Sequence, residues 1–339
     1  MAVLDKLLGH ETIFAGPEPI APTMRIFDSV HYIYQSHAVR FGLPIIYRML
    51  QLRIQKIIKK INPDVIHAHD IFCVMLAVDS GYPFVYDDHE YWSKEYMCDV
   101  SGRQLFKRIM YPYFSSIWLK RESYIADRAP VITVSDPIAD YYKDIGGECF
   151  VIPNYPSQHE IDSATFSEKV NDLTTVFIGK TTKRFCSYRD EANFVDFFKK
   201  INKPLVCIGK TIHTPSDRVR FTGHIPHMNV FAETSKYHVG VVPWRAHTYH
   251  RFCSLNKVYS YAHCGTIVVV TSLFTNVIKE FQGKCRVVNK YEDMNDVLNE
   301  MEGNMDGTVS ECEENMKFAR KNFIFEKYED TLKEAYKNV

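Results

Sequence analysis

Short apolar runs alternate with stretches of helical periodicity along almost the whole chain. The runs that we predict to be strands are residues 11–15, 64–67, 84–87, 131–134, 149–152, 175–178, 205–208, 219–222, 239–242, 266–270 and 286–288. The helical pattern covers residues 44–61, 103–126, 191–201, 255–264 and 275–281. Because continuously apolar strands are buried on both faces, their alternation with helices predicts an α/β fold with parallel sheets.

A polar stretch that contains prolines divides these elements into two sets. Pro153 and Pro156 flank a turn, and the polar residues 157–172 follow them. Such a stretch is typical of a linker between domains. We therefore predict a first Rossmann-like domain at residues 1–155 and a second at 156–325. The remaining residues, 326–339, complete an amphipathic helix.

Composition narrows the class of protein. The chain has 339 residues with 41 basic and 41 acidic side chains, a balance that gives no reason to expect a nucleic acid as partner. Its 9 cysteines, without a C-x-x-C pair, indicate reduced thiols. The sequence shows no signal peptide, and its apolar runs are far shorter than the ~20 residues of a membrane span. We therefore expect a cytoplasmic protein.

Several segments occur in an order and spacing that resemble one large group of enzymes. They are residues 62–70, 84–90, 126–135 and 151–154 in the first half, and 177–180, 241–243 and 254–265 in the second. Together they resemble the retaining glycosyltransferase family 4, which has the two-domain GT-B fold. The resemblance implies two Rossmann-like domains that face each other across a cleft, the first for the acceptor and the second for a nucleotide-diphosphate sugar. It also implies that the final helix packs back on the first domain and that no cofactor is needed.

The segment 254–265 predicts a helix whose N-terminus lies at the mouth of the cleft. Its first backbone N–H groups would attract the diphosphate of a nucleotide sugar, and Ser254 is expected to cap it. Asn256, Lys257 and Ser260 are three or four residues apart, so they share a helix face, from which Lys257 adds a positive charge. An ordinary crossover helix with a solvated lysine is the alternative interpretation.

A second cationic segment follows the predicted strand at 175–178. Gly179 lets the backbone approach a phosphate, and Lys180, Lys183 and Arg184 come shortly after it. The resemblance implies an Arg and a Lys in this loop, where a cationic pair would stabilise the charge that develops on the leaving diphosphate. We therefore expect Lys180 and Arg184 to act in catalysis, and Gly179 and Lys183 to bind the donor. Solvated loop charges are the alternative.

Histidines mark the ends of two predicted strands in the first half. The resemblance implies that His89 contacts the transferred sugar or its phosphate, as a catalytic residue; a structural histidine is the alternative. His67 and His69 share one strand face, with Asp70 nearby. Two ligands without a clear third do not define a metal site, so we predict no metal.

The chain departs from the family's pattern in its donor helix. The family carries a Glu that binds the ribose and, eight residues earlier, a Glu that contacts the sugar, whereas Ser260 and Phe252 occupy these positions here. A Ser hydroxyl holds fewer ribose hydroxyls than a carboxylate does, so we expect weaker or differently arranged donor binding. His247, His250 and Arg251 are the candidate substitutes in the preceding loop.

A second departure concerns the N-terminus. The resemblance begins at the end of the family's first helix, so we expect the first domain to lack its first strand and the Gly-rich loop, about 25 residues by analogy. A misassigned start codon, a fragment and a loss of catalysis each account for this. Losing a central strand would leave a sheet edge uncovered.

Two predicted helices combine basic residues with apolar ones. Residues 44–61 place isoleucines and a methionine mostly on one face and basic residues around the other, and residues 103–121 mix aromatic with basic side chains. This mixture suits an anionic membrane surface, where lipid-linked acceptors are met, and predicts peripheral attachment to the inner face of the membrane. Ordinary cover helices of a Rossmann sheet are the alternative.

The resemblance implies a hexosyltransferase that moves a sugar, with retention, from a nucleotide-diphosphate donor to a glycan, a lipid-linked acceptor or a small molecule. The protein positions the substrates and stabilises charge. The first alternative is a catalytically impaired GT-B protein with a binding or scaffold role, which Ser260 and Phe252 favour. The second is a nucleotide-sugar epimerase, for which Asp88 and Glu90 are the candidate acid and base.

Overall fold

Parallel strands dominate the computed structural model, which describes residues 9–16, 27–32, 44–94, 105–162, 164–181 and 191–339. The strands form sheets of two, four and six members. They are β1 Ile13–Gly16, β2 Ser29–Tyr32, β3 Ile66–His69, β4 Phe84–Asp88, β5 Val131–Thr133, β6 Cys149–Val151, β7 Thr175–Ile178, β8 Leu205–Ile208, β9 Val219–Gly223, β10 Val239–Val241, β11 Ile267–Thr271 and β12 Cys285–Val288. The predicted α/β class with parallel sheets is confirmed.

Helices cover the sheets. They are α1 Pro44–Ile61, α2 Asp70–Val78, α3 Leu105–Ala126, α4 Asp136–Asp144, α5 Gln158–Asp162, α6 Glu191–Ile201, α7 His227–Thr234, α8 Asn256–His263, α9 Thr275–Phe281, α10 Met294–Gly303, α11 Met305–Asn322 and α12 Glu329–Lys337. Short 3₁₀ helices occur at Thr248–Phe252, Tyr291–Asp293 and Phe325–Tyr328. Among the described helices, none combines the length and the apolar character needed to cross a bilayer.

The four-stranded sheet has the order β3-β4-β5-β6. All of β4 is buried, as expected for a parallel strand covered on both faces. In the register of this sheet Ile66 pairs with Phe84 and His69 with Asp87. The carboxyl ends of β3 and β4 therefore lie side by side, and the side chains that end these strands meet at one edge.

The six-stranded sheet has the order β12-β11-β10-β7-β8-β9, so β7 and β10 are neighbours in its middle. The centre of this sheet is built from fully buried side chains such as Val176, Phe177 and Val268. The last strand of the four-stranded sheet ends at Val151 and the first strand of the six-stranded sheet begins at Thr175, and the predicted domain boundary at residue 155 falls between them.

The final helix, α12, packs on the four-stranded sheet although it follows the six-stranded one. Its buried residues Leu332 and Ala335 contact Val85, Ile132 and Ile152, which come from β4, β5 and the residue after β6. The chain therefore crosses twice between the two sheets, and this crossing ties them together.

The elements differ from the predicted ones in detail. The strand predicted at residues 64–67 lies two residues later, because the Ile66 N–H pairs with the Pro83 carbonyl at 2.9 Å and starts the ladder there. Strand β2, whose sequence SVHY is mixed in polarity, was not predicted. Within the described residues β1 pairs with β2 in a sheet of its own, apart from β3.

Candidate active site

The two large sheets meet at the 3₁₀ helix Thr248–Phe252. This helix follows β10, yet its Tyr249 and Phe252 side chains belong to the hydrophobic core of the four-stranded sheet. Tyr249 Oη donates to Glu90 Oε2 at 3.0 Å, and Ser135 Oγ donates to the Phe252 carbonyl at 2.8 Å. Phe252 is therefore a packing residue at the contact between the two halves, at the position where the resemblance implies a sugar-binding glutamate.

Helix α8 begins at Asn256, with Leu255 as its N-cap residue and no side-chain cap among the described residues. The prediction that Ser254 caps this helix is wrong. Ser254 is buried, and its Oγ lies 3.0 Å from Tyr259 Oη, one turn into the helix. Asn154 Nδ2 donates to the Ser254 carbonyl at 2.9 Å, so Ser254 links the helix to the linker between the sheets.

Lys257 lies in the first turn of α8, beside the loop that follows β7. Its Nζ is 4.7 Å from the centre of the Phe177 ring and 5.5 Å from that of Trp244. Gly179 has a φ of +152°, and a Cβ there would lie 2.7 Å from Phe177 Cζ and 3.4 Å from Lys257 Nζ. The structure thus places Gly179 and Lys257 together, and only glycine fits at position 179. Trp244 was not among the predicted site residues, although its position two residues after the strand predicted at 239–242 could have indicated it.

Other predicted donor-site residues are Ser260, Lys180, Lys183 and Arg184. Ser260 Oγ donates to the Asn256 carbonyl at 3.1 Å, so its oxygen keeps acceptor capacity for one further group. Lys180 is exposed directly after Gly179. Lys183 and Arg184 lie outside the described residues.

The loop before α8 holds the three candidates for replacing the family's glutamates. His247 Nδ1 accepts a hydrogen bond from the Tyr249 N–H at 3.2 Å and so caps the 3₁₀ helix. His250 is fully buried and stacks on Phe274, with 4.3 Å between ring centres, so a substrate cannot reach it. Arg251 is exposed. Of the three, Arg251 is the side chain best placed to meet a ligand.

In the four-stranded sheet, histidines surround one carboxylate at the ends of β3 and β4. His67 Nε2, His69 Nδ1 and His89 Nε2 lie 3.0, 2.9 and 3.1 Å from Asp87 Oδ2. Asp87 is completely buried. The carboxylate that joins the histidines is therefore Asp87 of β4, whereas the sequence pointed to Asp70.

Within this histidine cluster (His67, His69, Asp87 and His89), the charges of Asp87 and His89 stabilise each other. Burial opposes the ionisation of Asp87, but the charge of His89 and the hydrogen bonds from the histidines outweigh it and hold the Asp87 pKa well below its usual range. Burial also opposes the charge on His89, yet its ion pair and hydrogen bond with Asp87 raise the His89 pKa to about 9. At neutral pH His89 is therefore a cation, which suits contact with a phosphate or a sugar oxygen.

Asp88, the next residue of β4, faces the other side of the sheet. It is completely buried, and Tyr142 Oη donates to its Oδ2 at 2.7 Å. Burial, followed by the neighbouring charge of Glu122, raises the Asp88 pKa well above its usual value. Asp88 does not open to the cleft, and Glu90 is engaged by Tyr249. The structure therefore does not bring together the acid–base pair that an epimerase would need.

Solved structures of glycosyltransferases share this architecture. A sucrose-phosphate synthase from Thermosynechococcus elongatus matches with a TM-score of 0.70 at 15% identity, over 98% of this chain and 90% of that one. A glycosyltransferase from Rickettsia africae ESF-5 matches with a TM-score of 0.68 at 14% identity, over 100% and 94%. HepE from Anabaena, in complex with UDP-glucose, matches with a TM-score of 0.66 at 12% identity, over 97% and 100%. The chain therefore has the GT-B fold, as the motifs predict.

The family resemblance is also confirmed. Residues 4–155 match the model of Glycosyltransferase Family 4, the family that the motifs resemble. The match contains β3, β4 and the histidine cluster. A comparison with curated proteins gives no match.

Proposed function

We propose that the chain is a glycosyltransferase that moves a sugar from a UDP-sugar to an acceptor hydroxyl, with retention of configuration. The observation that carries the proposal is the position of Lys257 Nζ, in the first turn of α8 and beside Gly179, where the six-stranded sheet ends. A helix N-terminus together with an ammonium group attracts a diphosphate. The UDP moiety is suggested by HepE, which binds UDP-glucose in a structure of the same fold.

The proposed chemistry divides the work between the two sides of the site. Lys257 and the N–H groups of α8 hold the diphosphate and stabilise the charge that it gains as the sugar leaves. His89, held as a cation by Asp87, contacts the sugar or its phosphate from the other side. Lys180, Lys183 and Arg184 are proposed to add positive charge at the same diphosphate. The acceptor hydroxyl attacks with the help of the leaving diphosphate.

Donor binding tests this proposal directly. Isothermal titration with UDP and with UDP-glucose is expected to show one binding site per chain. Because a charge-assisted hydrogen bond contributes about 1.5–3 kcal/mol, Lys257→Ala should weaken UDP at least tenfold. Lys284→Ala is the matched control: Lys284 precedes β12, at the opposite end of the same sheet, and pairs with Glu314. Equal affinities of the two variants, or no binding of either ligand, would refute the diphosphate site.

We further propose that the acceptor is lipid-linked and is met at an anionic membrane surface. Helices α1 and α3 both pack on α2 and expose large apolar side chains, namely Met49, Leu52, Tyr113, Leu119 and Tyr124. The same two helices also carry several basic residues, namely Arg48, Arg53, Lys56, Lys59, Lys60, Lys120 and Arg121. Apolar side chains within a basic surface suit the headgroup region of an anionic bilayer.

Vesicle co-sedimentation tests the membrane surface. The protein should bind phosphatidylglycerol vesicles and bind phosphatidylcholine vesicles weakly, and salt should release it. The double variant Met49→Ser, Leu52→Ser should lose most of this binding. Val309→Ser changes an exposed apolar residue on α11 and should keep it. Equal loss in both variants would contradict this surface.

A binding role without catalysis is the second candidate, and Phe252 favours it. Phe252 is buried in the contact between the two halves, where the family places a sugar-binding glutamate. A time course of UDP release from UDP-sugars, with and without vesicles as a source of acceptor, separates the two functions. Release of UDP at a rate proportional to protein concentration supports transfer. Stable donor binding without release supports the binding role.

A further inference from the structure

The histidine cluster shows an unusual distribution of hydrogen bonds around one carboxylate. Three imidazole nitrogens lie within 3.1 Å of Asp87 Oδ2. The other oxygen, Asp87 Oδ1, is buried and has no hydrogen-bond partner among the described residues. Buried carboxylate oxygens normally share their donors, because each unsatisfied oxygen costs free energy. The histidine nitrogens therefore lie close together around one oxygen, while the other oxygen of the same carboxylate keeps its capacity to bind a ligand.

We propose that this cluster binds a divalent cation of the zinc class, with His67 Nε2, His69 Nδ1 and the Asp87 carboxylate as ligands. The ligand atoms of His67, His69 and Asp87 already lie within 4.8 Å of one another. Zinc–ligand bonds of about 2.0–2.2 Å require only a small contraction of this group. Imidazole nitrogen together with a carboxylate is a donor set that Zn²⁺ accepts.

The strands explain why these ligands converge. His67 and His69 alternate with Ala68 on β3, so both side chains leave the same face. Asp87 pairs with His69 across the ladder, and His89 follows two residues later on the same side. The ligands thus come from two hydrogen-bonded strands of a buried sheet, which hold their positions without a cation.

A residue of the final helix orients one of the ligands. Tyr336 Oη lies 2.8 Å from His67 Nδ1. When this nitrogen carries the proton and donates to Tyr336, the lone pair of Nε2 points to the metal, which is how outer partners commonly orient metal-binding histidines. Tyr336 is therefore a positioning residue. His69 is 55% exposed and gives the cation a route from solvent.

Metal binding does not depend on the transferase activity proposed above, so it is measured directly. Untagged protein is stripped with a chelator and titrated with Zn²⁺ against a chromophoric chelator, and the metal content is then measured after dialysis. We expect one Zn²⁺ per chain. His69→Asn should weaken Zn²⁺ at least tenfold, and because His69 is exposed the variant should fold. The matched control is His227→Asn, which removes another histidine paired with one carboxylate, Glu160, at 2.8 Å.

Two further measurements distinguish this site from other sources of zinc binding. The cysteines of the chain could bind Zn²⁺ through thiolates, so Co²⁺ serves as a spectroscopic probe. The Co²⁺ protein should show ligand-field bands without thiolate-to-cobalt charge transfer. Tyr336→Phe should weaken Zn²⁺ about 10-fold with an unchanged circular dichroism spectrum. Absence of a stoichiometric site, a thiolate band, or equal affinities of His69→Asn and His227→Asn would overturn the proposal.

Discussion

The two sides of the candidate site hold their positive charges in different ways. On the side of the four-stranded sheet, histidines surround the buried carboxylate of Asp87. On the side of the six-stranded sheet, the Lys257 ammonium lies over the rings of Phe177 and Trp244. A carboxylate neutralises a cation, whereas a ring face attracts a cation and leaves its charge in place. The first side is therefore built for internal charge balance, and the second for attracting an anion.

This difference predicts which substitutions lower the stability of the fold and which lower the affinity for the donor. Breaking a buried ion pair by removing one partner costs about 3–5 kcal/mol, whereas a cation–π contact contributes about 0.5–2 kcal/mol. Substitutions around Asp87 should therefore lower the free energy of unfolding, and substitutions around Lys257 should mainly lower donor affinity. The predictions below test this division.

The largest effect is expected for Asp87→Asn. The amide removes the buried negative charge that His67, His69 and His89 contact, so the unfolding free energy should fall by about 3–5 kcal/mol. Urea denaturation at pH 7 in the presence of a chelator measures it. Asp88→Asn is the matched control, because it lies on the same strand and is equally buried.

The Asp88→Asn variant should lose less unfolding free energy than Asp87→Asn. Burial, with the charge of Glu122, raises the pKa of Asp88 well above the usual value, so its surroundings favour the neutral carboxyl and an amide should replace it with less loss than at Asp87. Equal destabilisation by Asp87→Asn and Asp88→Asn would show that the two faces of β4 do not differ in charge. The Asp87 carboxylate would then have no special role in stability.

Much of the fold could be predicted from the sequence, because parallel strands are continuously apolar; Thr175–Ile178 has the predicted limits. The role of Asp87 could not. It depends on the register that sets His69 opposite Asp87, and register is decided by tertiary packing. The Ser254 cap failed for a related reason: the local pattern of an N-cap does not reveal that Tyr259 engages the hydroxyl.

A buried carboxyl on the side of α8 gives the second prediction. Glu280 accepts hydrogen bonds from Tyr259 Oη and Asn276 Nδ2, and burial raises its pKa to about 7 from 4.5. Because the folded state binds the proton more tightly, the stabilising contribution of Glu280 is full below pH 4.5 and is lost as pH rises through 7. Between pH 5 and pH 8 this group should remove about 3 kcal/mol of unfolding free energy.

Glu280→Gln should abolish this loss, so the variant gains on the wild type at pH 8 and not at pH 5. Urea denaturation at both pH values measures it, and Glu302→Gln, an exposed carboxylate of the same half, is the control. A pH dependence that persists unchanged in Glu280→Gln would show that other groups cause it, and the raised pKa of Glu280 would be refuted.

Gly179→Ala should have a smaller effect on stability, and it tests the side of the six-stranded sheet. The positive φ and the contact with Phe177 make alanine strained, at a cost of about 1–3 kcal/mol in unfolding free energy. UDP affinity should fall further, because the displaced loop moves away from Lys257. Gly303→Ala is the control, since Gly303 has open space around it and lies in a helix. If both variants bind UDP as the wild type does, the loop after β7 is not part of the donor site.

The smallest effect on stability is expected for an exposed ion pair between the two halves of the chain. Lys279 Nζ lies 2.7 Å from Asp136 Oδ2, with 73% and 54% of the side chains exposed, so water and salt screen the pair. Lys279→Ala should leave the urea midpoint unchanged, at low and at high salt. The joint rests instead on Tyr249 and Phe252, which are buried in the core of the four-stranded sheet. If Lys279→Ala clearly lost stability at low salt and not at high salt, exposed charges would hold the two halves together. The extent of burial would then not distinguish the charges that stabilise the fold from those that do not.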